Sequence, residues 1–277
     1  MIDIQHYKQQ VEEAVTFLHN RITTPPEIVI ILGTGLSALA ESLSEKLSIP
    51  YHQIPHFPVS TVTSHEGNLV VGQMNGRHIA ILQGRVHCYE GYSAREVAFP
   101  VRVLSLLGAG TVIVTNAGGG LNINFAPGTI MVLTDHINLL GDNPLRGPNV
   151  DEWGPRFPDL SKPYDDRLVQ TALQAAHHLG LDKIETGTYI CIPGPSLETP
   201  AETGFLRDSG GDVVGMSSIP EILVAIHANM RVLGLSVVAN VNDPEDLQPI
   251  LLDDIVQTAR ETEPVLQELI SEIISRC

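Results

Sequence analysis

The decapeptide QGRVHCYEGY, residues 83–92, places a guanidinium, an imidazole and a phenol two residues apart, at Arg85, His87 and Tyr89. If extended backbone continues from the apolar run RHIAIL (77–82) past Gly84, all three point to one face. Arg offers a planar fork of donors for a phosphate or carboxylate, His adds another donor, and Tyr carries a hydroxyl above an apolar ring. Such a face suits a small, oxygen-rich anion. The same residues would serve equally as the polar outer face of a solvated edge strand, so the remaining chain has to decide between the two.

Other polar residues fall at similar places. The apolar run EIVIIL (27–32) leads into Gly33-Thr34-Gly35, and 36–46 reads as helix, an arrangement that presents backbone N–H groups to a phosphate. Gly33, Gly35 and Ala38 also satisfy the dinucleotide fingerprint, but about 20 residues further on that motif needs an acidic residue ending a second strand. PYHQIPHFPV supplies neither, so no NAD site is expected. TVIVTN (111–116) ends at Asn116 and runs into Ala117-Gly118-Gly119-Gly120, where missing Cβ atoms allow a ligand to approach or φ to turn positive. Glu198 stands just before Thr199, Pro200 and Glu202, which supply N-cap, N1 and N3 of a helix; no structural need for an acid is evident there. A short strand over 212–216 leads into Met216 and Ser217, next to a helix that Ser218, Pro220 and Glu221 begin in the same way. Asn240 ends the buried strand GLSVVAN.

Some candidates have better structural explanations. Asp165-Asp166 resemble a catalytic carboxylate pair, but they open a helical pattern (166–179) whose dipole they complement. His52 and His56 flank Pro55 and His177-His178 lie mid-helix, so no metal is assigned. No nucleophile elbow G-x-S-x-G appears.

The elements that must position these residues alternate. Apolar spacing predicts helices over 3–19 and 251–275, and Ser93 with Glu96 caps another over 94–107. NLVVGQM, Asn75-Gly76 and RHIAIL form a hairpin. Residues 128–133 and 185–192 read as strands, with Asp135-His136 at the end of the first, and 141–163 as a long loop carrying Trp153 and Phe157. Aromatics in such a loop more often pack locally than touch a ligand. With 277 residues, 43% of them apolar and none in a linker or repeat, the chain reads as one α/β domain, residues 1–277. A net charge of -16 argues against nucleic acid, although a local Arg and aimed N–H groups can still hold a small anion. Cys88, Cys191 and Cys277 are too few and scattered for a disulfide framework, which fits a reducing cytoplasm. Neither a signal segment nor a membrane span is read.

Thr34, Arg85 with His87 and Tyr89, Asn116, Glu198, Met216 with Ser217, and Asn240 thus follow the ends of six strands, and in an α/β sheet such ends converge. ILGTGL, QGRVHCYEGY, VTNAGGGLN, DHINL, NPLRGPN, RFPDLS, GPSLETPAE and VGMSSIPE follow one another in the order and spacing of purine nucleoside phosphorylases of the trimeric, low-molecular-mass class, which the chain resembles over nearly its whole length. The resemblance implies a central mixed β-sheet flanked by helices. It implies phosphate binding by Thr34, Arg85, His87, Ser217 and the backbone at Ala117, with ribose contacts from Tyr89 and Met216. It implies purine contacts from Glu198 and Asn240, further substrate contacts along Asn116, Ala117 and Gly118, and catalytic roles for His87, Glu198 and Asn240. Phe157 would close a neighbouring subunit's site in a homotrimer. The implied reaction is phosphorolysis of purine ribo- and deoxyribonucleosides with no cofactor, inorganic phosphate being a co-substrate. Asn at 240, where methylthioadenosine relatives carry Asp, favours 6-oxopurines.

Three departures leave the 5′ preference open. Ala239 stands where the family usually has Thr, and Leu197 where an aromatic is common. VNDPEDLQPILLDD is shorter and more acidic than usual and lacks the family's His for the ribose 5′-hydroxyl, with Leu252 near that place. A methylthioadenosine phosphorylase and a catalytically weak nucleoside-binding protein are the alternatives.

Overall fold

A computed structural model describes residues 3–33, 38–61 and 67–277. Asp3 caps helix α1 (Ile4–His19), accepting from the N–H of Gln5 and His6, and Val11, Ala14 and Leu18 bury its inner face. β1 (Ile28–Ile31) is apolar and buried throughout, as a strand covered on both faces must be. The helix expected over 36–46 is not observed. Residues 36 and 37 lie outside the described residues, Ala38–Ser42 form a 3-10 turn, and β2 (Ser44–Pro50) is an edge strand. Pairing explains this: Leu47 and Ile49 register against Val71 and Leu69 of β3 (Asn68–Met74), covering an edge that would otherwise lie open.

β3 turns through Asn75 and Gly76, at φ of 49° and 76°, into β4 (Arg77–Gln83), the hairpin that the Asn-Gly pair predicts. Extended backbone then stops short of Tyr89. His87 is still extended, but Cys88–Glu90 form a 3-10 turn closed by Gly91 at φ 100°. Ser93 and Glu96 make the expected capping box, and the helix they start is interrupted once, as α2 (Ala94–Val97) and α3 (Phe99–Leu106).

β5 (Thr111–Gly120) runs on through the three glycines as strand, with a register shift against β9 between Gly118 and Gly119. β6 (Ile130–Asn138) likewise outruns Leu133, and Asp135 and His136 lie inside it. Then follow α4 (Asp166–His178), capped by Asp165 and ending in His177 and His178, and β7 (Ile184–Cys191). α5 (Pro200–Asp208) carries the Thr199–Glu202 capping box and leads to β8 (Val213–Gly215). α6 (Ile219–His227), β9 (Arg231–Val241) and α7 (Leu252–Ser275) complete the order.

The strands form one mixed sheet, β2-β3-β4-β1-β5-β8-β7-β6-β9, and β5 also pairs with β9. Strands β5, β8, β7, β6 and β9 therefore close on one another, while β1 to β4 extend from β5 as an open wing. Helices α4 and α7 pack together over β6 and β9, and α1, α3 and α6 form a second group. This is a single-domain α/β fold with helices flanking a mixed sheet.

The glycines of β5 are required by close approach, since none has a positive φ. A Cβ on Gly118 would lie 2.6 Å from Val213 Cγ1 and 2.7 Å from the Val214 carbonyl oxygen. One on Gly119 would lie 2.8 Å from Asn242 Nδ2. Gly118→Ala is expected to cost about 1–3 kcal/mol and to lower the melting temperature by several degrees. An unchanged melt would show that β5 and β8 do not depend on this contact.

Candidate active site

At the end of β4 the chain turns Arg85 inward rather than along a solvated face; it is 5% exposed. Its Nη1 donates to Ser218 Oγ (2.9 Å) and its Nη2 to the carbonyls of Thr115 and Ile31, on the neighbouring strands β5 and β1. Nε is buried with no partner among the described residues. The buried carboxylate of Glu221 stands 3.6 Å from Nη1 and supplies a counter-charge. Burying one member of such a pair without the other would leave an uncompensated charge.

Ser218 was expected to cap α6. It occupies the N-cap position at φ 75° but makes no side-chain cap bond. Its hydroxyl instead accepts from Arg85 and from Asn116 Nδ2 (2.9 Å) and lies 3.4 Å from Ser217 Oγ. Asn116 Oδ1 in turn accepts from Ser236 Oγ of β9 (2.6 Å). Both ends of that amide are engaged by protein, which leaves its second Nδ2 hydrogen as the group available to a substrate.

His87 is fixed by Glu90. One carboxylate oxygen accepts from the His87 backbone N–H (2.8 Å) and lies 3.1 Å from Nδ1, while the other accepts from Ser60 and Thr61. Burial alone would raise the Glu90 pKa, but these hydrogen bonds hold it down at about 2. The Tyr89 ring stacks on His87, centroids 4.6 Å apart and 12° from parallel. Cys88 between them has its thiol pushed up to about 11 by burial and by the Glu221 charge, so it packs as a neutral group.

A second cluster sits at the far end of β5. Glu198, in the loop after β7, has its pKa raised, chiefly by burial. Its Oε2 accepts from Asn242 Nδ2 (3.4 Å), and Asn242 Oδ1 accepts a short hydrogen bond from Asn240 Nδ2. Gly119 of β5 registers with Asn240 on one side and Val214 on the other. Met216 packs over Gly194, whose absent Cβ would lie 2.3 Å from the Met216 sulfur. Ala117, half-buried, and Gly118 line the strand between the clusters.

The structure thus joins Arg85, Ser217 and Asn116 in one hydrogen-bonded group, pairs His87 with Tyr89, and joins Glu198 with Asn240. Thr34 lies outside the described residues. Phe157 stands apart in the long loop, 85% exposed with Arg156 over its ring, whereas Trp153 packs edge-on against Tyr7. Four residues in these clusters escape sequence reasoning: Glu90, Ser218, Glu221 and Asn242. Glu90 leaves a faint signal, three residues after His87 as in a capping box. The others are defined by partners distant in sequence. Among the described residues no group of His, Cys, Asp and Glu converges as a metal site, and no helix is long and apolar enough to cross a membrane.

The model described as "Phosphorylase superfamily" matches residues 27–275. The chain is 46% identical over 264 residues to purine nucleoside phosphorylase 1 of Geobacillus stearothermophilus, covering 95% of this chain and 96% of that one. The chain belongs to the purine nucleoside phosphorylase family of that superfamily. The fold agrees. The family's Schistosoma mansoni purine nucleoside phosphorylase in complex with inosine superposes with a TM-score of 0.93 at 38% identity, covering 97% of this chain and 96% of that one. A Schistosoma mansoni purine nucleoside phosphorylase in complex with adenosine gives 0.92 at 39% identity and 97% of each chain.

Hydrogen bonding and burial displace two carboxyl groups of this family member in opposite directions, Glu90 downward and Glu198 upward. A carboxyl-resolved NMR titration should find Glu90 near 2 and Glu198 above the ordinary value of 4.5; the reverse order would contradict the hydrogen bonding described. Because Glu90 is depressed on folding, its stabilisation is present above pH 4.5 and lost as pH falls towards 2. Glu90→Gln should therefore flatten acid denaturation across that window.

Proposed function

We propose that the chain catalyses phosphorolysis of purine nucleosides and deoxynucleosides, with a preference for 6-oxopurines such as inosine and guanosine, to free base and (deoxy)ribose 1-phosphate. The observation that carries this reading is the pair of clusters on one strand. Around β5 a buried guanidinium group with His87 and Ser217 suits an anion, and a carboxylate with two amides suits a heterocycle edge.

In this reading phosphate is held by Arg85, His87, Ser217, the backbone at Ala117 and Thr34, with the free Nε of Arg85 as an unspent donor. Tyr89 and Met216 flank the ribose, and Asn116 and Gly118 complete its floor. Phosphate oxygen attacks the anomeric carbon as the bond to the purine nitrogen breaks, with inversion. Positive charge grows on the ribose and negative charge on the departing base, so donors aimed at the base lower the barrier. Ionised Glu198 accepts the ring N1–H, and Asn240 bonds N7 and the 6-substituent. No cofactor is required. Phe157, exposed in this subunit, reaches a neighbouring site in a cytoplasmic homotrimer.

A methylthioadenosine phosphorylase is the second reading, favoured by the apolar Leu252. That residue opens α7 and is 69% exposed, so it closes no apolar pocket within this subunit. One Schistosoma mansoni structure holds inosine and another holds adenosine, which makes base choice a matter for measurement.

Incubation with inosine should release hypoxanthine only when phosphate is present; no release with phosphate, or equal release without it, would refute the reading. Arg85→Ala should raise the phosphate KM roughly tenfold or more while purine binding changes far less, and equal losses would count against its role. Activity on inosine should fall on the acid side with an apparent pKa above 4.5, as the raised Glu198 carboxylate takes up a proton.

A further inference from the structure

Asn242 lies between the two purine-facing side chains and is 1% exposed. Its backbone is anchored independently of its side chain: its N–H donates to Gly120 O (2.7 Å) and its carbonyl accepts from Arg207 Nη2 (3.2 Å). Arg207 also donates to Leu121 O (3.0 Å), so the chain leaving β9 is tied to the end of β5. The side-chain amide is thus held against β5, where the missing Cβ of Gly119 makes room for Nδ2.

The polarity of this arrangement is directional. An ionised carboxylate only accepts, so Glu198 faces Asn242 Nδ2. Asn242 Oδ1 then faces Asn240, which must present Nδ2 to it. What Asn240 retains for a ligand is one Nδ2 hydrogen and its Oδ1. An unconstrained amide can turn over and offer either end to a base. At position 6 a 6-oxopurine presents an acceptor, whereas a 6-aminopurine presents a donor. The two bases need opposite orientations of the same amide.

We infer that Asn242 is a specificity-determining positioning residue, which relays the polarity of Glu198 to Asn240 and locks the amide orientation that distinguishes 6-oxopurines from 6-aminopurines. This rests on the proposed function for the identity of the bases, and the sequence signals nothing of it, because Asn242 follows the strand end read as the recognition position.

The test compares wild type, Asn242→Leu and Asn242→Asp in kcat/KM for inosine and adenosine and in phosphate KM. Asn242→Leu keeps the volume and removes the relay, so the inosine-to-adenosine ratio should move towards one by about tenfold, one hydrogen bond's worth, with phosphate KM unchanged. Asn242→Asp still accepts from Asn240 but repels Glu198, so it should keep the ratio while raising KM for both nucleosides. Equal loss on both nucleosides in the Leu variant, or a matching rise in phosphate KM, would overturn the relay. If the Leu variant melts early, Asn242→Ala and the Asp variant carry the same comparison. A wild-type ratio near one overturns the relay but leaves phosphorolysis standing. If wild type turns over neither nucleoside, calorimetry with hypoxanthine and adenine reads the same ratio in binding. A shift in the Leu variant then supports the relay while the activity falls.

Discussion

The site depends on how closely β5 can approach its neighbours. Between Gly118 and Gly120 this strand pairs with β8 on one side and β9 on the other, at separations where a single methyl would overlap Val213, the Val214 carbonyl or Asn242. That pairing closes five strands on one another and leaves β5 as the shared wall of two polar clusters. Steric exclusion by backbone and packed valines sets the spacing here, and the functional side chains inherit it.

Within that frame the main electrostatic problem is a buried cation in a protein of net charge -16. The global charge repels phosphate, so the attraction has to be local and poorly screened. Arg85 is compensated by Glu221 and oriented by two carbonyls and Ser218. Holding Ser218 at positive φ is unfavourable for a residue with a Cβ, and the surrounding hydrogen bonds determine that conformation. Its hydroxyl, freed from capping, accepts from both Arg85 and Asn116.

The legible part of this molecule was local. The Asn75-Gly76 turn, the Ser93 and Thr199 capping boxes and the apolar strands each follow from chemistry within a few residues, and the structure has them where that chemistry puts them. Reading strand ends also brought together most of the residues now seen in the two clusters. What failed was decided by distant partners. Residues 44–46 look like the end of a helix until the open edge of β3 is known, and whether the glycine run serves close approach or positive φ is decided only when β8 and β9 are placed beside it. Ser218 has every local mark of an N-cap, yet Arg85 and Asn116, over 100 residues away, claim its oxygen. Asn242 is the same case, since its importance is visible only with Glu198 across from it.

Both clusters are also anchored on β9. Ser236 on β9 donates to Asn116 on β5, Asn116 donates to Ser218 at the start of α6, and Ser218 receives Arg85 from β4. A few residues along β9, Asn240 donates to Asn242, which donates to Glu198. The strand that carries Asn240 thus also holds the end of the chain that orients Arg85. Each amide in these chains has its donor and acceptor ends assigned by a neighbour, so little reorientation is left to occur when charge develops on a substrate. Dipoles fixed before the reaction stabilise that charge more than dipoles that must turn to meet it. The same fixing explains how the amides and hydroxyls of these chains can be buried: they bond to one another, while Arg85 Nε and the Glu221 oxygens are left without a hydrogen bond among the described residues, and the whole is held to the geometry of a strand that tolerates almost no displacement.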